Sequence, residues 1–433
     1  MNFQESLAYL EALIAMGVQA GLNHTRSLAS RLGDPQRSYP CILVAGTNGK
    51  GSTSSFLAAI LGASGIRVGL YSSPHLVSVR ERVRLDGMLI GEEDLAAGLT
   101  RVREVSNSAI AAGELSGPPT YFEAMTLLAF EHFRRASVGA AILEVGLGGR
   151  LDCTNIADPI LSLVTNIALD HEDYLGKGLE NIATEKAGVF RPGVPALTAA
   201  QEGQGLQTLR RQARERGTPL QELGACRIEV LPNSWRISCG DRCLCLPLPA
   251  LPGRHQLQNA ALAVLAAWSL RDLGWVIPDE ALREGVASAR WPGRLERLAA
   301  APDLYLDGAH NPHGCEALAA FVGDQPQRRK ALVFTAMRDK PVAAMLSILV
   351  PCFGAVWATR VPMNRCMPAQ EVAGAASGVA VRTQDDPISA VEAARSWAGP
   401  EGLVVVAGSL YLVGYVKSLQ EEGTLLKSWG SGL

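Results

Sequence analysis

The sequence predicts an α/β protein built from two parallel-sheet domains, a larger N-terminal one and a smaller, Rossmann-like C-terminal one. Apolar runs typical of buried strands alternate with helical stretches, and these runs lie at 41–45, 68–71, 140–145 and 160–165. A chain break at 291–294 precedes a second alternating pattern, with strand-type runs at 304–306, 331–334, 355–359 and 403–407. Such alternation is typical of parallel strands joined by helices. We therefore expect domains at residues 1–292 and 297–433.

The segment Gly46-Thr-Asn-Gly-Lys-Gly-Ser52 joins the first strand-type run to a helical stretch at 52–61. Its glycines allow backbone N–H groups to turn inward around phosphate oxygens, and the helix N-terminus adds a partial positive charge. Lys50 then reaches the β- and γ-phosphates, while Ser52 or Thr53 can meet a magnesium ion. The segment thus predicts that the N-terminal domain is a P-loop ATPase domain.

The spacing of this loop departs from the common G-x-x-x-x-G-K-[ST] form. Position 44 is Val, and Gly51 separates Lys50 from Ser52. A plain glycine-rich turn in a parallel sheet is the alternative. Because strand, loop, lysine and helix follow one another in the required order, the phosphate loop is favoured.

Charge and hydropathy narrow the range of partners. The formal net charge of the 433 residues is −2, so the chain has no global basic field and nucleic acid is not an expected partner. Residues 1–5 include an acidic residue and precede no apolar core, which does not fit a signal peptide and favours a cytoplasmic location. The uncharged run at 341–359 is interrupted by Pro351 and Gly354, so we interpret it as buried core and expect no membrane partner.

The nine cysteines are mostly scattered, which is typical of reduced thiols in a cytosolic protein. Cys239, Cys243 and Cys245 form one local group, where alternation about Gly240-Asp241 predicts a hairpin. No second C-x-x-C or nearby His completes a zinc set, so metal binding there is disfavoured.

Polar residues follow several predicted strands of the N-terminal domain. Ser73 comes after the run at 68–71, Glu144 comes after the apolar residues 140–143, and His171 follows the run at 160–165. Ligands of parallel sheets lie beyond the carboxyl ends of the strands. Singly, Glu144 could be an ordinary strand-end carboxylate and His171 a capping or core histidine. Together with the phosphate loop they predict a Mg-ATP site.

Weaker signals lie elsewhere in the chain. Charges alternate along an extended segment at 78–84, which is usually a solvated edge but could line an anionic-substrate groove. Two aromatic residues in 120–123 precede a helical stretch at 124–133, where core packing is the simpler interpretation. Lys186 would ordinarily be a surface helix lysine. In the second domain Asp307 and His310 follow a strand, and we expect them to face the first domain across a cleft.

Ten motifs in chain order resemble the folylpolyglutamate synthase/dihydrofolate synthase family of the Mur ligase superfamily. They are GTNGKGS at 46–52, SSPHL at 72–76, TYFE at 120–123, LEVGLGGRLDCTN at 143–155, ALDH at 168–171, EKAGVFRPG at 185–193, LPGRHQLQNA at 251–260, PGR at 292–294, DGAHNP at 307–312 and GSLYLVG at 408–414. The motifs cover nearly the whole chain. GTNGKGS alone also suits the Mur peptidoglycan ligases, but LEVGLGGRLD and DGAHNP narrow the resemblance to the folate branch.

The resemblance implies a set of site residues. ATP would be held by Thr47, Asn48, Gly49, Lys50, Gly51, Ser52, Asn259, Arg294 and Asp307, with the last three completing the nucleotide site across the domain junction. Magnesium would be bound by Ser73, Glu144 and His171. The substrate would contact Arg82, Thr120, Tyr121, Phe122, Glu123, Leu151, Asp152 and Cys153. The catalytic group would be Lys50, Lys186, Asp307 and His310, with no general base assigned.

The resemblance also implies chemistry. Lys186 matches a position that is carbamoylated in similar proteins and helps to place a second magnesium ion. Cys153 stands where Ala is usual, which affects pterin selectivity, and Thr335 replaces a frequent Gly. The implied enzyme is a monomeric ligase that uses ATP and Mg²⁺ to join L-glutamate to 7,8-dihydropteroate and to reduced folates through an acyl phosphate.

Three alternatives to this bifunctional enzyme stay open at this point. One is a folylpolyglutamate synthase without the dihydropteroate activity, and another is a Mur-type peptidoglycan amino-acid ligase. The third is a P-loop regulator that binds ATP without making an amide, which the number of metal-ligand candidates and the DGAHNP domain disfavour.

Overall fold

The computed structural model describes residues 1–14, 17, 21–376 and 380–421. The chain forms two compact units. Unit 1 comprises Met1–Pro74, Arg80–Ala250 and Leu257–Arg290, and unit 2 comprises His75–Val79, Leu251–Gln256 and Trp291–Leu433. Both units contain a largely parallel sheet with helices, so the predicted α/β class is confirmed.

Most of the elements up to residue 290 alternate as the sequence pattern predicts. In chain order they are α1 (Phe3–Ile14), α2 (Asn23–Arg31), β1 (Cys41–Ala45), α3 (Lys50–Ala63), β2 (Val68–Tyr71), β3 (Val83–Leu85), β4 (Met88–Leu89), α4 (Glu92–Ala111), α5 (Tyr121–Arg135), β5 (Ala140–Glu144), β6 (Pro159–Val164), α6 (Glu172–Leu175), α7 (Leu179–Lys186), β7 (Ala196–Thr198), α8 (Gln204–Arg216), β8 (Leu220–Glu222), β9 (Arg227–Leu231), β10 (Ser234–Cys239), β11 (Arg242–Pro247), α9 (Arg254–Asp272) and α10 (Asp279–Ser288).

The large sheet of unit 1 has the strand order β4-β3-β2-β5-β1-β6-β7-β8. The strands from β2 to β8 in this order run parallel, while β3 and β4 add antiparallel pairs at one edge. All five residues of β1 are buried, as expected for a central strand covered on both faces. The strands predicted at 41–45 and 68–71 are confirmed, and those at 140–145 and 160–165 are confirmed within one residue.

The predicted hairpin about Gly240-Asp241 is confirmed. It joins β10 to β11 in an antiparallel sheet of order β11-β10-β9, and Gly240 has a φ of +57°, which favours glycine in a tight turn. The expectation of reduced thiols is wrong for Cys226 and Cys239, which form a disulfide. Their Cα atoms lie 4.4 Å apart because strand pairing brings the residue before β9 beside the last residue of β10, and this separation is within the range that a disulfide spans.

The prediction of an extended segment at 78–84 is wrong for its first half. Residues Val79–Arg82 form a 3₁₀ turn, and β3 begins only at Val83. The side chain of Arg82 is buried, because its guanidinium lies over the Tyr121 ring at 5.0 Å from the centroid. This cation–π contact removes Arg82 from the solvated edge that charge alternation suggests.

The sheet of unit 2 has the order β12-β13-β17-β14-β15-β16, and only its edge strand β12 runs antiparallel. Its elements are β12 (Glu296–Ala299), β13 (Asp303–Leu306), α11 (Pro312–Gly323), β14 (Lys330–Phe334), α12 (Val342–Leu349), β15 (Ala355–Ala358), α13 (Ala369–Gly374), β16 (Val381–Thr383), α14 (Pro387–Ala398), β17 (Leu403–Ala407) and α15 (Leu410–Glu421). The strand-type runs predicted for this region are therefore confirmed.

Strand β17 shows how both faces of the second sheet are covered. Leu403, Val405 and Ala407 join one hydrophobic cluster, whereas Val404 and Val406 join another. The run at 341–359 contributes α12 and β15 to these clusters, which confirms its interpretation as buried core. Among the described residues, the apolar helices are all too short or too polar to cross a bilayer.

Candidate functional site

Four neighbouring parallel strands of unit 1, in the order β2-β5-β1-β6, bring their carboxyl ends to one edge of the sheet. Ser73 lies two residues beyond β2, and Glu144 is the last residue of β5, in register with Val44 of β1. The phosphate-loop segment follows β1, and His171 lies in the segment after β6. The topology therefore places the phosphate loop and the predicted metal residues at the ends of adjacent strands, where parallel sheets bind ligands.

The residues that follow β6 hold the phosphate loop in shape. The Asn48 N–H donates to Asn166 Oδ1 at 2.9 Å, and the Thr47 N–H donates to the Asn166 carbonyl at 2.9 Å. Thr165 Oγ1 donates to the Asn48 carbonyl at 2.6 Å. Thr165 and Asn166 are not among the predicted site residues. The signal that could have found them is their position directly after a strand next to β1.

Two glycines of the loop are required by close approach. Gly46 has a φ of +139°, and a Cβ there would lie 1.9 Å from Thr165 Oγ1. Gly49 has a φ of +84°, and a Cβ there would lie 2.4 Å from Asn259 Oδ1. Only glycine fits such contacts without displacement. The structure thus brings Asn259, a predicted nucleotide residue, against the phosphate loop within unit 1.

Helix α3 begins at Lys50 and has Gly49 as its N-cap, two residues earlier than the sequence predicts. The first turn contains Gly51 and Ser52, and both are buried. The N-terminus of this 14-residue helix, which carries the positive end of the helix dipole, therefore lies in the phosphate loop. This arrangement is the one by which helix N-termini bind phosphate.

Two lysines meet at the carbonyl of Gly46. Lys50 Nζ donates to the carbonyls of Gly46 and Thr47, each at 3.1 Å, and Lys186 Nζ donates to the Gly46 carbonyl at 2.8 Å. The ordinary interpretation of Lys186 as a surface lysine is wrong, because only 5% of the residue is exposed. Burial, with a further contribution from the Lys50 charge, lowers the pKa of Lys186 from 10.5 to about 7, against the opposing effects of Asp170 and Asp152.

Asp152 fastens the loop that follows β5. Its Oδ2 accepts hydrogen bonds from the N–H groups of Gly146 at 2.9 Å and Leu147 at 3.1 Å. Its Oδ1 accepts from the N–H and hydroxyl of Thr154 at 2.9 and 2.6 Å. A Cβ on Gly146 would lie 3.3 Å from both Asp152 Oδ2 and Ser73 Oγ, so these two predicted residues flank the same backbone position.

The predicted metal ligands have a donor set that suits a hard cation, namely a hydroxyl, a carboxylate and an imidazole. Glu144 is buried, whereas His171 is more exposed and has a left-handed backbone with a φ of +54°. His171 Nε2 lies 3.8 Å from Asp170 Oδ1. No cluster of three or more His, Cys, Asp or Glu side chains suited to a metal occurs in the described ranges. The predicted set includes only two residues of those types, so the metal role of all three stays a prediction.

An aromatic group lies at the start of α5. The rings of Tyr121 and Phe122 pack edge to face at 5.7 Å between centroids, and the Arg82 guanidinium lies 5.8 Å from the Phe122 centroid. Phe122 is 44% exposed and Leu151 is 42% exposed. The exposed Phe122 ring, backed by the buried Arg82 guanidinium, offers a surface for a flat, polar aromatic molecule.

Thr120 and Glu123 are engaged within the protein. They form a capping box, in which the Thr120 N–H donates to Glu123 Oε2 at 2.8 Å, and α5 therefore begins three residues before the predicted stretch. Glu123 Oε1 accepts from Thr25 Oγ1 at 2.9 Å and lies 3.0 Å from His24 Nδ1. Burial opposes ionisation of Glu123, but the hydrogen bonds from His24 and Thr120 lower the pKa of Glu123 overall. The hydrogen bond between Glu123 and His24 also raises the pKa of His24.

His24 is a residue that the sequence does not indicate, since α2 has no motif that marks it. Cys153 is partly buried, and this burial raises the pKa of its thiol well above the usual value. Its thiol is therefore neutral at physiological pH and presents an apolar surface. The substrate roles of Thr120, Glu123 and Cys153 stay predictions.

The predicted residues of unit 2 gather after β13. Asp307 Oδ1 accepts from the Ala309 N–H and Oδ2 from the Leu295 N–H, both at 2.9 Å. His310 Nδ1 donates to the Gly308 carbonyl at 2.8 Å. A Cβ on Gly308 would lie 2.0 Å from Arg294 Nη1, so Arg294 lies against this turn.

His255 also belongs to this group, although it is not among the predicted site residues. Burial lowers its pKa, with Asp307, Arg294 and His313 as the nearby charged or titratable groups. It lies in the LPGRHQLQNA motif, which was the available signal.

Two family models and several known proteins match this chain. The Mur ligase middle domain model matches residues 44–196, and the Mur ligase glutamate ligase domain model matches residues 293–410. The dihydrofolate synthase/folylpolyglutamate synthase of Bacillus subtilis (strain 168) is 36% identical over 424 residues, which cover 96% of this chain and 98% of that protein.

Solved structures agree with this match. E. coli FolC in complex with DHPP and ADP has a TM-score of 0.89 at 36% identity, with 98% of each chain covered. The bifunctional folylpolyglutamate synthase/dihydrofolate synthase from Yersinia pestis, complexed with AMPPNP and Mn ion, has a TM-score of 0.87 at 36% identity, with 97% of this chain and 98% of that chain covered. The chain described here therefore belongs to the dihydrofolate synthase/folylpolyglutamate synthase family.

Proposed function

We propose that this protein is an ATP-dependent ligase that joins L-glutamate to 7,8-dihydropteroate, forming dihydrofolate, and to reduced folates, forming folylpolyglutamates. The observation that carries the proposal is the phosphate loop. Two lysines converge on its Gly46 carbonyl, and helix α3 begins within it. The relatives named for both activities, and the ADP and AMPPNP complexes of similar structures, support the same reaction.

The reaction proceeds in two steps. An oxygen of the substrate carboxylate attacks the γ-phosphorus of ATP, the bond to the β-phosphate oxygen breaks, and ADP leaves. The amine of L-glutamate then attacks the carbonyl carbon of the acyl phosphate, loses a proton and expels phosphate. Lys50 and the α3 amides stabilise the charge on the transferring phosphoryl group. Thr47, Asn48, Gly49, Gly51 and Ser52 shape that cradle, and Asn259 contacts it at Gly49.

We assign Ser73, Glu144 and His171 as ligands of Mg²⁺, which supplies charge neutralisation on the phosphates when it is bound. The Mn ion in the Yersinia pestis complex supports a divalent metal in this family. A second metal position is proposed near Lys186. The buried Lys186 has a pKa of about 7, so a large fraction of its amine is neutral at physiological pH and can add CO₂ to form a carbamate.

The pterin ring is proposed to lie on Phe122, with Thr120, Tyr121, Glu123, Leu151, Asp152 and Cys153 forming the rest of its site. Arg82 would offset the negative charge of the folate tail. In unit 2, Arg294 and Asp307 are proposed to contact nucleotide, and Asp307 and His310 to act during ligation.

We further propose a monomer in the cytoplasm, where ATP and L-glutamate are abundant. Light scattering coupled to size-exclusion chromatography tests the monomer.

The decisive assay follows phosphate release and amide formation together. ATP, Mg²⁺ and L-glutamate are supplied with dihydropteroate, with tetrahydrofolate, or with a muramyl peptide as control. We expect product masses for glutamate addition to the first two acceptors. Activity with tetrahydrofolate alone would reduce the assignment to folylpolyglutamate synthase, and activity with the muramyl peptide alone would overturn it.

A further inference from the structure

The Cys226–Cys239 disulfide lies in a part of unit 1 that the proposed ligation does not use. Cys226 directly precedes β9, and Cys239 ends β10. Both residues are partly exposed, so solvent reaches the bond. The remaining cysteines are free, including the exposed Cys243 and Cys245 on β11.

Cys239 also lines a cavity of about 250 Å³. The cavity is bounded by Gln221, Cys239, Asp241, Arg242, Leu265, Trp268 and Asp272. None of these residues is among the predicted nucleotide, metal or pterin residues. A disulfide sulfur in the wall of an open cavity is accessible to a small molecule that the cavity can hold.

The walls of the cavity combine apolar and polar groups. Leu265 and Trp268 are almost completely buried and form an apolar surface. Arg242 forms a bidentate ion pair with Asp272 and donates from Nη1 to the Trp268 carbonyl at 3.0 Å. This network fixes the guanidinium plane.

Gln221 and Asp241 supply the other polar groups. Gln221 Nε2 donates to Cys239 Sγ at 3.6 Å, so the amide points at the sulfur. Asp241 is an exposed carboxylate at the cavity wall. Carboxylates and N–H donors on either side of an apolar surface suit a small zwitterionic molecule.

We infer that the Cys226–Cys239 disulfide is a thiol-exchange site, at which a zwitterionic low-molecular-weight thiol in this cavity attacks Cys239. The thiolate sulfur forms a bond to Cys239 Sγ, the Cys226–Cys239 bond breaks, and its electron pair leaves on Cys226, which takes a proton from solvent. A second thiol molecule attacks the outer sulfur of the mixed disulfide. The products are two protein thiols and one small-molecule disulfide, so two thiols are oxidised as the protein disulfide is reduced.

Exchange at this site changes the constraint on the three-stranded sheet. The disulfide closes a loop with a sequence separation of 13 residues between β9 and β10. Opening it increases the conformational freedom of the unfolded chain. The protein would therefore report the thiol status of its surroundings through the stability of this sheet.

The test begins with wild-type protein purified without reductant. Differential alkylation and peptide mapping should identify a Cys226–Cys239 cross-linked peptide, with Cys243 and Cys245 alkylated as free thiols. Reduced glutathione should open the cross-link, and the Tm should fall by a few degrees. Alkylation of both Cys226 and Cys239 before any thiol is added would overturn the proposal.

The site of attack is tested with a variant that cannot form the Cys226–Cys239 bond, so that a small-molecule thiol attached to Cys239 is not displaced. Cys226→Ser removes the resolving sulfur, so glutathione disulfide should leave one stable glutathione on Cys239. Adding Cys243→Ser to it as a matched control should leave that adduct unchanged. Modification of Cys243 in place of Cys239 would contradict the assignment.

Recognition by the cavity is tested by comparing thiols in the wild-type protein. The rate constant of each thiolate is divided by its rate constant for a small reference disulfide, because a more basic thiolate is intrinsically more nucleophilic. This ratio should be severalfold larger for glutathione than for the purely anionic 3-mercaptopropionate. Equal ratios would show that the cavity does not select the thiol and would overturn that part of the inference.

Discussion

The phosphate loop and the Thr120–Glu123 segment are both marked by short motifs, yet they differ in what determines their shape. In the phosphate loop, the motif supplies the positive φ values of Gly46 and Gly49 and the Lys50 charge, so it carries the backbone arrangement, which distant residues such as Asn166 and Lys186 then support. In the second segment, Glu123 is directed inward to His24 and Thr25, residues almost a hundred positions away. The comparison indicates that a backbone-defined site is readable from local sequence, whereas a side-chain-defined one depends on distant partners.

Removal of the Lys50 charge should give the largest effect. Lys50→Ala should lower kcat by about 10³-fold or more, because the lysine stabilises charge that develops on the transferred phosphoryl group. Circular dichroism and Tm should remain near wild type, since the side chain is only partly buried and lies outside the apolar core. A folded variant with wild-type turnover would remove the loop from the mechanism.

Loss of the Glu144 carboxylate should give the next largest effect. Glu144→Ala should raise the Mg²⁺ concentration for half-maximal activity by at least about tenfold, because a direct ligand is lost. His171→Ala should shift the same titration in the same direction. Overlapping titrations for variants and wild type would show that the metal lies elsewhere.

Substitution of Lys186 distinguishes a role of its carbamate from a role of its positive charge. Enzyme equilibrated with ¹³C-bicarbonate should show a carbamate carbon signal whose intensity rises with pH through about 7, as the amine loses its proton. Lys186→Arg keeps the charge and should lose both the signal and most of the activity. An arginine variant with full activity would contradict a role for the carbamate.

Asn166 tests whether the loop depends on its neighbour strand. Asn166→Ala removes the acceptor for the Asn48 N–H and should lower kcat/KM about tenfold, the effect of roughly one lost hydrogen bond. Asn166→Asp retains an acceptor oxygen and should recover part of the loss. If both variants match wild type, the loop holds its shape without the Asn166 side chain.

The Glu123–His24 pair should give the smallest effect on activity and a measurable one on stability. Glu123→Gln should destabilise the protein by about 1 kcal/mol or more, since a buried charged bond is weakened.

The stability that this pair contributes should depend on pH. Because the pKa of His24 is raised in the folded protein, protonated His24 contributes stability below its unfolded pKa of about 6.5, and this contribution is lost as pH rises through the folded pKa. The lowered pKa of Glu123 contributes above about 4.5 and is lost as pH falls through the folded pKa. The difference in Tm between wild type and variant should therefore be largest between about pH 4.5 and 6.5, and a pH-independent difference would contradict the pair.

Periodicity and strand-end position predict most of the fold and the placement of the unit 1 residues. The strands β1 and β2 match their predicted bounds, and Ser73, Glu144 and the phosphate loop follow adjacent strands. Strand propensity and burial are local properties, which explains this success. The order of strands in the sheet is set by packing between distant segments, and no local pattern gives it.

Three residues depart from the ordinary behaviour of their types for one physical reason. Lys186 is buried although a helix lysine is ordinarily at the surface, Arg82 is covered by Tyr121 although alternating charge is usually a solvated edge, and Cys239 is bonded although composition predicts a thiol. In each case a tertiary contact overrides the ordinary behaviour of the residue type. Asn166 and His24 were missed for the same reason, because their partners are distant in sequence.

An acyl phosphate at the phosphate loop leaves a trace in the released phosphate, which dihydropteroate with two ¹⁸O atoms in its carboxylate detects when ATP, Mg²⁺ and L-glutamate are supplied. We expect one ¹⁸O atom in each released phosphate, because the carboxylate oxygen that attacks the γ-phosphorus leaves with it. Unlabelled phosphate, released together with the correct amide, would exclude the acyl phosphate.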